Sequence, residues 1–95
     1  MAGYWIIRGT LNDQAAFEEY NKLWGPVAKR YGAKMLTAGG RHETPEGKPH
    51  ERALIVEFES YQTALDCYND PDYQASLEHA FKAYDRELTI VESTV

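Results

Sequence analysis

Ala53 to Phe58 (ALIVEF) is the segment that most restricts what this chain can become. It is a near-continuous apolar run, bounded by polar residues and too short for a buried helix. Such a run reads as an interior strand covered on both faces. In an extended chain one face carries Ala53, Ile55 and Glu57, and the other carries Leu54, Val56 and Phe58. A sheet is therefore obligatory, and the remaining segments must build it and cover it.

Tyr4 to Thr10 (YWIIRGT) is aromatic and β-branched and opens the domain as a strand, with Tyr4, Ile6 and Arg8 on one face and Trp5, Ile7 and Gly9 on the other. Asn12 or Asp13 then offers an N-cap, and Phe17, Tyr20, Leu23 and Trp24 follow at helical spacing. Gly25-Pro26 predicts a kink or restart, because proline removes a backbone donor and disfavours helical geometry before it. Val27, Ala28 and Tyr31 continue the buried stripe, and Gly32 supplies a left-handed C-cap. A short strand over Lys34–Ala38 follows. The polar stretch from Arg41 to Glu51, with Pro45, Gly47 and Pro49, reads as an extended hairpin connection to the ALIVEF strand. Ser60 caps a helix from Tyr61 to about Asn69, and Asp70-Pro71 caps a further one through Tyr73, Leu77, Ala80, Phe81 and Tyr84. Leu88 to Val91 closes the sheet.

The order βαββαβ defines an α+β chain with the ferredoxin-like topology, and 95 residues leave room for one such domain, spanning residues 1–95. The right-handed crossover rule puts the helices on one face of a four-stranded antiparallel sheet. The other face is bare. Every strand carries apolar residues at both parities, so that face is most simply covered by a second copy, and a homodimer is expected.

Charge and cysteine usage remove several function classes. A net charge of −5 with scattered basic residues argues against nucleic acid. No apolar run approaches the roughly 20 residues needed to cross a bilayer, so no membrane association is expected. The opening residues lack a basic region followed by an apolar stretch, and Cys67 has no partner for an internal disulfide. The expected compartment is the cytoplasm.

Several residue groups also resemble a known family. They are Gly3-Tyr4-Trp5-Ile6, Tyr31-Gly32-Ala33-Lys34, Gly39-Gly40-Arg41, Ile55-Val56-Glu57-Phe58 with Ser60-Tyr61, Ala64-Leu65 with Tyr68, and Pro71-Asp72-Tyr73-Gln74. In this order they are similar to the uncharacterised family called domain of unknown function 1330, over nearly the whole chain. The resemblance implies a dimeric α+β barrel, in which two ferredoxin-like sheets face each other. Its relatives by fold include cofactor-free monooxygenases of antibiotic biosynthesis, small lactone isomerases and larger haem enzymes. It carries over no reaction.

Glu57 is the leading candidate for chemistry, because a carboxylate in so apolar a strand is costly unless paired or solvated in a pocket. Burial would raise its pKa and suit it to general acid or base work; the alternative is a salt bridge or a hydrogen bond to a nearby tyrosine. Antiparallel pairing makes Tyr4 a candidate partner. Arg41, after the Gly39-Gly40 pair, is placed to grip a ligand carboxylate or phosphate, or else to make an ion pair. Arg8 shares the face of Tyr4 and Ile6 and is placed either to line the same cavity or, at a strand end, to be exposed. His42 is a candidate proton carrier. A hairpin brings it opposite His50 or Glu51, but no spacing fixes a third metal ligand and no metal is expected. Tyr61, Tyr68 and Tyr73 mix core with pocket wall, whereas Phe17, Tyr20 and Trp24 read as core. Cys67 reads as a small core residue.

Together these residues point to a small-molecule-binding protein or a cofactor-independent enzyme acting on a small organic, aromatic or carboxylated compound. The cavity would lie between sheet and helices or inside the dimer, with Glu57 on its wall and no cofactor. The alternative is a non-catalytic dimerisation module without a functional pocket.

Overall fold

The structure, a computed structural model, describes all 95 residues. Its elements run β1 (Gly3–Leu11), α1 (Gln14–Arg30), β2 (Lys34–Ala38), β3 (Arg52–Phe58), α2 (Tyr61–Asn69), α3 (Pro71–Ala83) and β4 (Tyr84–Glu92). The four strands form one antiparallel sheet in the order β2-β3-β1-β4, the ferredoxin-like arrangement. No helix is long and apolar enough to cross a membrane.

Local chemistry explains most boundaries. The Asp13 carboxylate accepts from the Ala16 amide and opens α1, and the Ser60 hydroxyl accepts from Thr63 and opens α2. Asp70 accepts from the Asp72 amide and opens α3, with Pro71 at the first helical position. The same Asp70 carboxylate accepts from the Tyr31 hydroxyl at 2.7 Å and from Arg30 at 2.8 Å, tying the end of α1 to the α2–α3 junction. These contacts, the Tyr31 hydroxyl foremost, hold the Asp70 carboxyl below its ordinary pKa. Gly32 takes the left-handed conformation (φ 64°) that stops α1.

Three boundaries differ from the sequence reading. α1 runs unbroken through Gly25-Pro26, because both residues lie on its exposed side and the Lys22 carbonyl that proline leaves without a donor is also on a solvent-facing residue. β4 begins at Tyr84, so Tyr84 is a strand residue and not part of α3. The 39–51 segment forms no strand, and β2 and β3 pair directly without extending into it.

All three helices cover the face carrying Trp5, Ile7, Leu54, Val56 and Phe58, and they contribute Tyr20, Val27, Ala64, Cys67, Tyr73 and Ala80 to one core. Trp5 is fully buried at its centre. Its ring lies 5.0–5.9 Å from those of Trp24, Phe58, Tyr68 and Tyr73, and its indole N–H donates to the Ala64 carbonyl at 3.0 Å. Burial pushes the Cys67 thiol up to about 12, which leaves it unreactive at neutral pH. Gly3 is needed where β1 meets the start of α2, since a Cβ there would sit 2.6 Å from the Ser60 carbonyl oxygen.

A bulge between Met35 and Thr37 reverses the parity of β2. Met35 consequently faces the helices, while Thr37 turns to the open face. Its hydroxyl there accepts from the Ile55 amide and donates to the Ala53 carbonyl.

Candidate functional site

Strand parity puts three residues in a row across the helix-covered face. Arg52 on β3 and Arg86 on β4 are both paired with Gly9 on β1. Gly9 has no side chain, and Arg86 and Tyr84 pack onto it: a Cβ there would lie 3.1 Å from Arg86 Cβ and 3.2 Å from Tyr84 Cδ1. α1 lies across this row and leaves a partly open cavity of about 90 Å³. Trp5, Phe17, Tyr20, Trp24, Leu54 and Tyr84 form its aromatic and apolar walls. Arg52, Arg86 and Asn21 supply its polar groups, and exposed Met35 stands at the edge.

Both arginines are fixed without a carboxylate. The Arg86 guanidinium donates to the Tyr73 hydroxyl at 3.2 Å and lies 5.4 Å from the Tyr20 ring centroid and 6.0 Å from that of Tyr84. Arg52 donates to the Tyr84 hydroxyl at 3.2 Å and to the Ala38 carbonyl at 3.4 Å, and lies 5.7 Å from the Phe17 centroid. Cation–π contact of this kind orients a guanidinium but does not neutralise it. The buried Tyr20 and Tyr73 hydroxyls share a hydrogen bond of 2.9 Å. Burial, and then the neighbouring Tyr73, push the Tyr20 phenol well above its ordinary pKa, so it stays protonated and able to donate. The cavity lining contains no His, Asp or Glu. Its chemistry is therefore to hold and stabilise negative charge, with no general base to remove a proton.

The residues singled out from the sequence fall elsewhere, with one exception. Tyr73 is fully buried beneath this cavity and acts through its hydroxyl, not as a wall. Tyr4, Arg8 and Glu57 all lie on the open sheet face, the first two at the expected parity of β1. Tyr4 and Glu57 are cross-strand partners, and the phenol donates to the carboxylate at 3.3 Å. Glu57 is half-buried and lines neither the helix-side cavity nor the groove described next; it lies on the face that a second copy would cover.

Arg8, Arg41 and His42 come together, with Ile6, Thr37 and Ile55, around a groove of about 330 Å³ on the open face. Arg8 is already engaged there with Glu87 at 3.0 Å and the Lys48 carbonyl at 3.4 Å. His42 does pack against His50, but through the His50 carbonyl. Its two ring nitrogens face the Gly40 and His50 carbonyls at 3.1 and 3.0 Å, which raises its pKa, Gly40 contributing most. Only the imidazolium satisfies both acceptors, which suits His42 to tying the loop and leaves no lone pair free for a metal. No group of three His, Cys, Asp or Glu side chains stands in metal-binding geometry. Tyr61, at the first turn of α2, is exposed and joins neither site.

Arg52, Arg86 and Gly9 were missed as site residues. The available signal was parity, since Arg52 stands two residues before Leu54 and Arg86 two before Leu88. Extending each strand by that amount places both arginines on the core face.

Sheet order, helix placement and an aromatic cavity over the sheet define the class: a ferredoxin-like α+β protein. The chain belongs to the family described as Domain of unknown function (DUF1330), whose model matches residues 2–94. Among solved structures, a protein of unknown function from Rhodopseudomonas palustris is 18% identical (TM-score 0.73), covering 99% of this chain and 83% of that one. A dimeric ferredoxin-like protein of unknown function from Bacteroides fragilis is 13% identical (TM-score 0.60), with 97% and 96% covered. SnoaB from Streptomyces nogalater, a cofactor-independent oxygenase, is 10% identical (TM-score 0.59), with 99% and 94% covered. No curated protein matches the chain.

Proposed function

We propose that this chain is a homodimeric small-molecule-binding protein, or a cofactor-independent enzyme, that takes a small organic compound into the cavity between α1 and the sheet. The observation that carries the reading is the cavity itself: aromatic walls converging on a few oriented polar groups, the usual composition of a ligand site. At about 90 Å³ it admits a molecule of a few heavy atoms, or the end of a longer one. SnoaB, described as a cofactor-independent oxygenase, offers an analogy at the level of fold. The open face, with half-buried Ile6 and Ile55 side by side and Val91 exposed on β4, is the surface a second copy would cover. The dimeric state of the Bacteroides fragilis protein supports that arrangement. In this reading the Tyr4–Glu57 pair serves the interface, and the Arg8, Arg41 and His42 groove lies beside it.

Thermal-shift screening with small aromatic and aliphatic acids, phenols and amides tests the reading. A cavity ligand present at 100 times its Kd is expected to add about 2.7 kcal/mol of stability by mass action. In a domain of this size that raises Tm by roughly 10 °C or more. A panel that produces no saturable stabilisation counts against a ligand site here.

A further inference from the structure

Resting on that cavity as the ligand site, we infer that its ligand is a monocarboxylic acid whose carboxylate is held between Arg86 and Arg52. Every polar group fixed around the row, apart from Asn21 at the exposed edge, has a proton to give. Arg86 uses one of its five donors, on Tyr73, and Arg52 uses two, on Tyr84 and Ala38. The Tyr20 and Tyr73 hydroxyls share one hydrogen bond and Tyr73 also accepts from Arg86, so one of the two phenol protons has no protein acceptor. The Tyr84 hydroxyl accepts from Arg52 and has no protein acceptor for its own proton. No fully buried side-chain polar atom lacks a partner, so the unbonded Arg86 nitrogens keep some access to solvent, and the residue lines the cavity. Two guanidinium groups and two phenols, with no carboxylate among the lining residues, complement an acceptor-only, planar, singly charged group.

The setting selects among anions. Neither arginine takes part in an ion pair, although the chain has 15 acidic residues and a net charge of −5. The walls are mostly apolar, which makes a dianion such as phosphate costly to desolvate and favours a carboxylate on a hydrocarbon or aromatic body. Gly9 lets Arg86 and Tyr84 pack closely over β1, since a Cβ there would crowd both.

The experiment compares benzoate with benzamide, which has nearly the same shape and no charge. Trp5 and Trp24, the only tryptophans in the chain, both line the cavity, so fluorescence excited at the indole band reports occupancy directly. Benzoate is expected to bind saturably and benzamide about ten-fold or more weaker. Arg86→Met removes the charge but keeps the stem, and it leaves the Tyr20–Tyr73 bond in place. It should weaken benzoate about ten-fold or more, and benzamide by a smaller factor because its carbonyl loses only a neutral acceptor's hydrogen bond. Should Arg86→Met fail to fold, Arg52→Met at the more open side carries the same comparison. If benzamide matches benzoate, or if the folded arginine variant binds benzoate as tightly as the parent, the carboxylate assignment is overturned and the cavity still stands as a neutral-ligand site. If neither compound binds the parent protein, the cavity reading falls and this assignment falls with it.

Discussion

Trp5→Ala is expected to leave the domain at or below the edge of stability. The Trp5 side chain is wholly buried, packs against four aromatic rings and donates to the Ala64 carbonyl of α2. Removing such a side chain costs about 3–5 kcal/mol, because transfer energy is lost and the surrounding rings cannot fully collapse into the space. A domain of this size holds only about 5–14 kcal/mol in all. Trp5→Phe separates the two contributions. It keeps a ring in the cluster but loses the indole hydrogen bond to Ala64 and some packed volume, which should cost about 1–3 kcal/mol. Urea denaturation followed by far-UV circular dichroism measures both. A loss below about 1 kcal/mol in Trp5→Ala would contradict the central position of this residue.

Ile55→Lys is expected to convert a dimer into a folded monomer. Ile55 pairs with Ile6 in the middle of the open face and is half-buried within one copy, so a lysine there can remain solvated when the chain is alone. In a face-to-face dimer, two-fold symmetry would bury two such ammonium groups without partners. An uncompensated buried charge costs about 3–5 kcal/mol, which weakens association at least about 100-fold. Light scattering behind size exclusion should give 10.8 kDa for the variant and twice that for the parent. Tm at low concentration should be similar for the two chains. A parent protein already monomeric at micromolar concentration would remove the open face as a dimer surface.

The fold was legible because its boundaries are written in short-range chemistry. Asp13, Ser60 and Asp70-Pro71 cap the helices they precede, Gly32 ends α1, and the ALIVEF run occupies an interior strand at the expected parity. Pro26 misled because its cost depends on what surrounds it, and exposed positions tolerate a missing donor. The candidate site was less legible. Glu57 stands out in sequence as a charge in an apolar strand, and its face is the one a single copy leaves uncovered, where within one copy it meets Tyr4 and partial solvent. Arg52 and Arg86 were hidden for the converse reason. A charged residue at a strand end reads as the start of a loop, and only tertiary packing shows its stem laid against Phe17, Tyr20 and Tyr84. Tyr84 to Glu87 alternates aromatic, acidic, basic and acidic residues, a pattern whose apolar half appears only once arginine stems count as apolar.

The cavity between α1 and the sheet stands or falls on where a bound ligand acts. Amide and indole NMR shifts recorded during a titration with benzoate decide this directly. Saturable movement of the Trp5 and Trp24 indole N–H signals, together with the amides of Asn21, Arg52 and Arg86, is the expected result. Movement confined to Arg8, Thr37, Arg41, His42 and Ile55 would place the ligand in the open-face groove and contradict it.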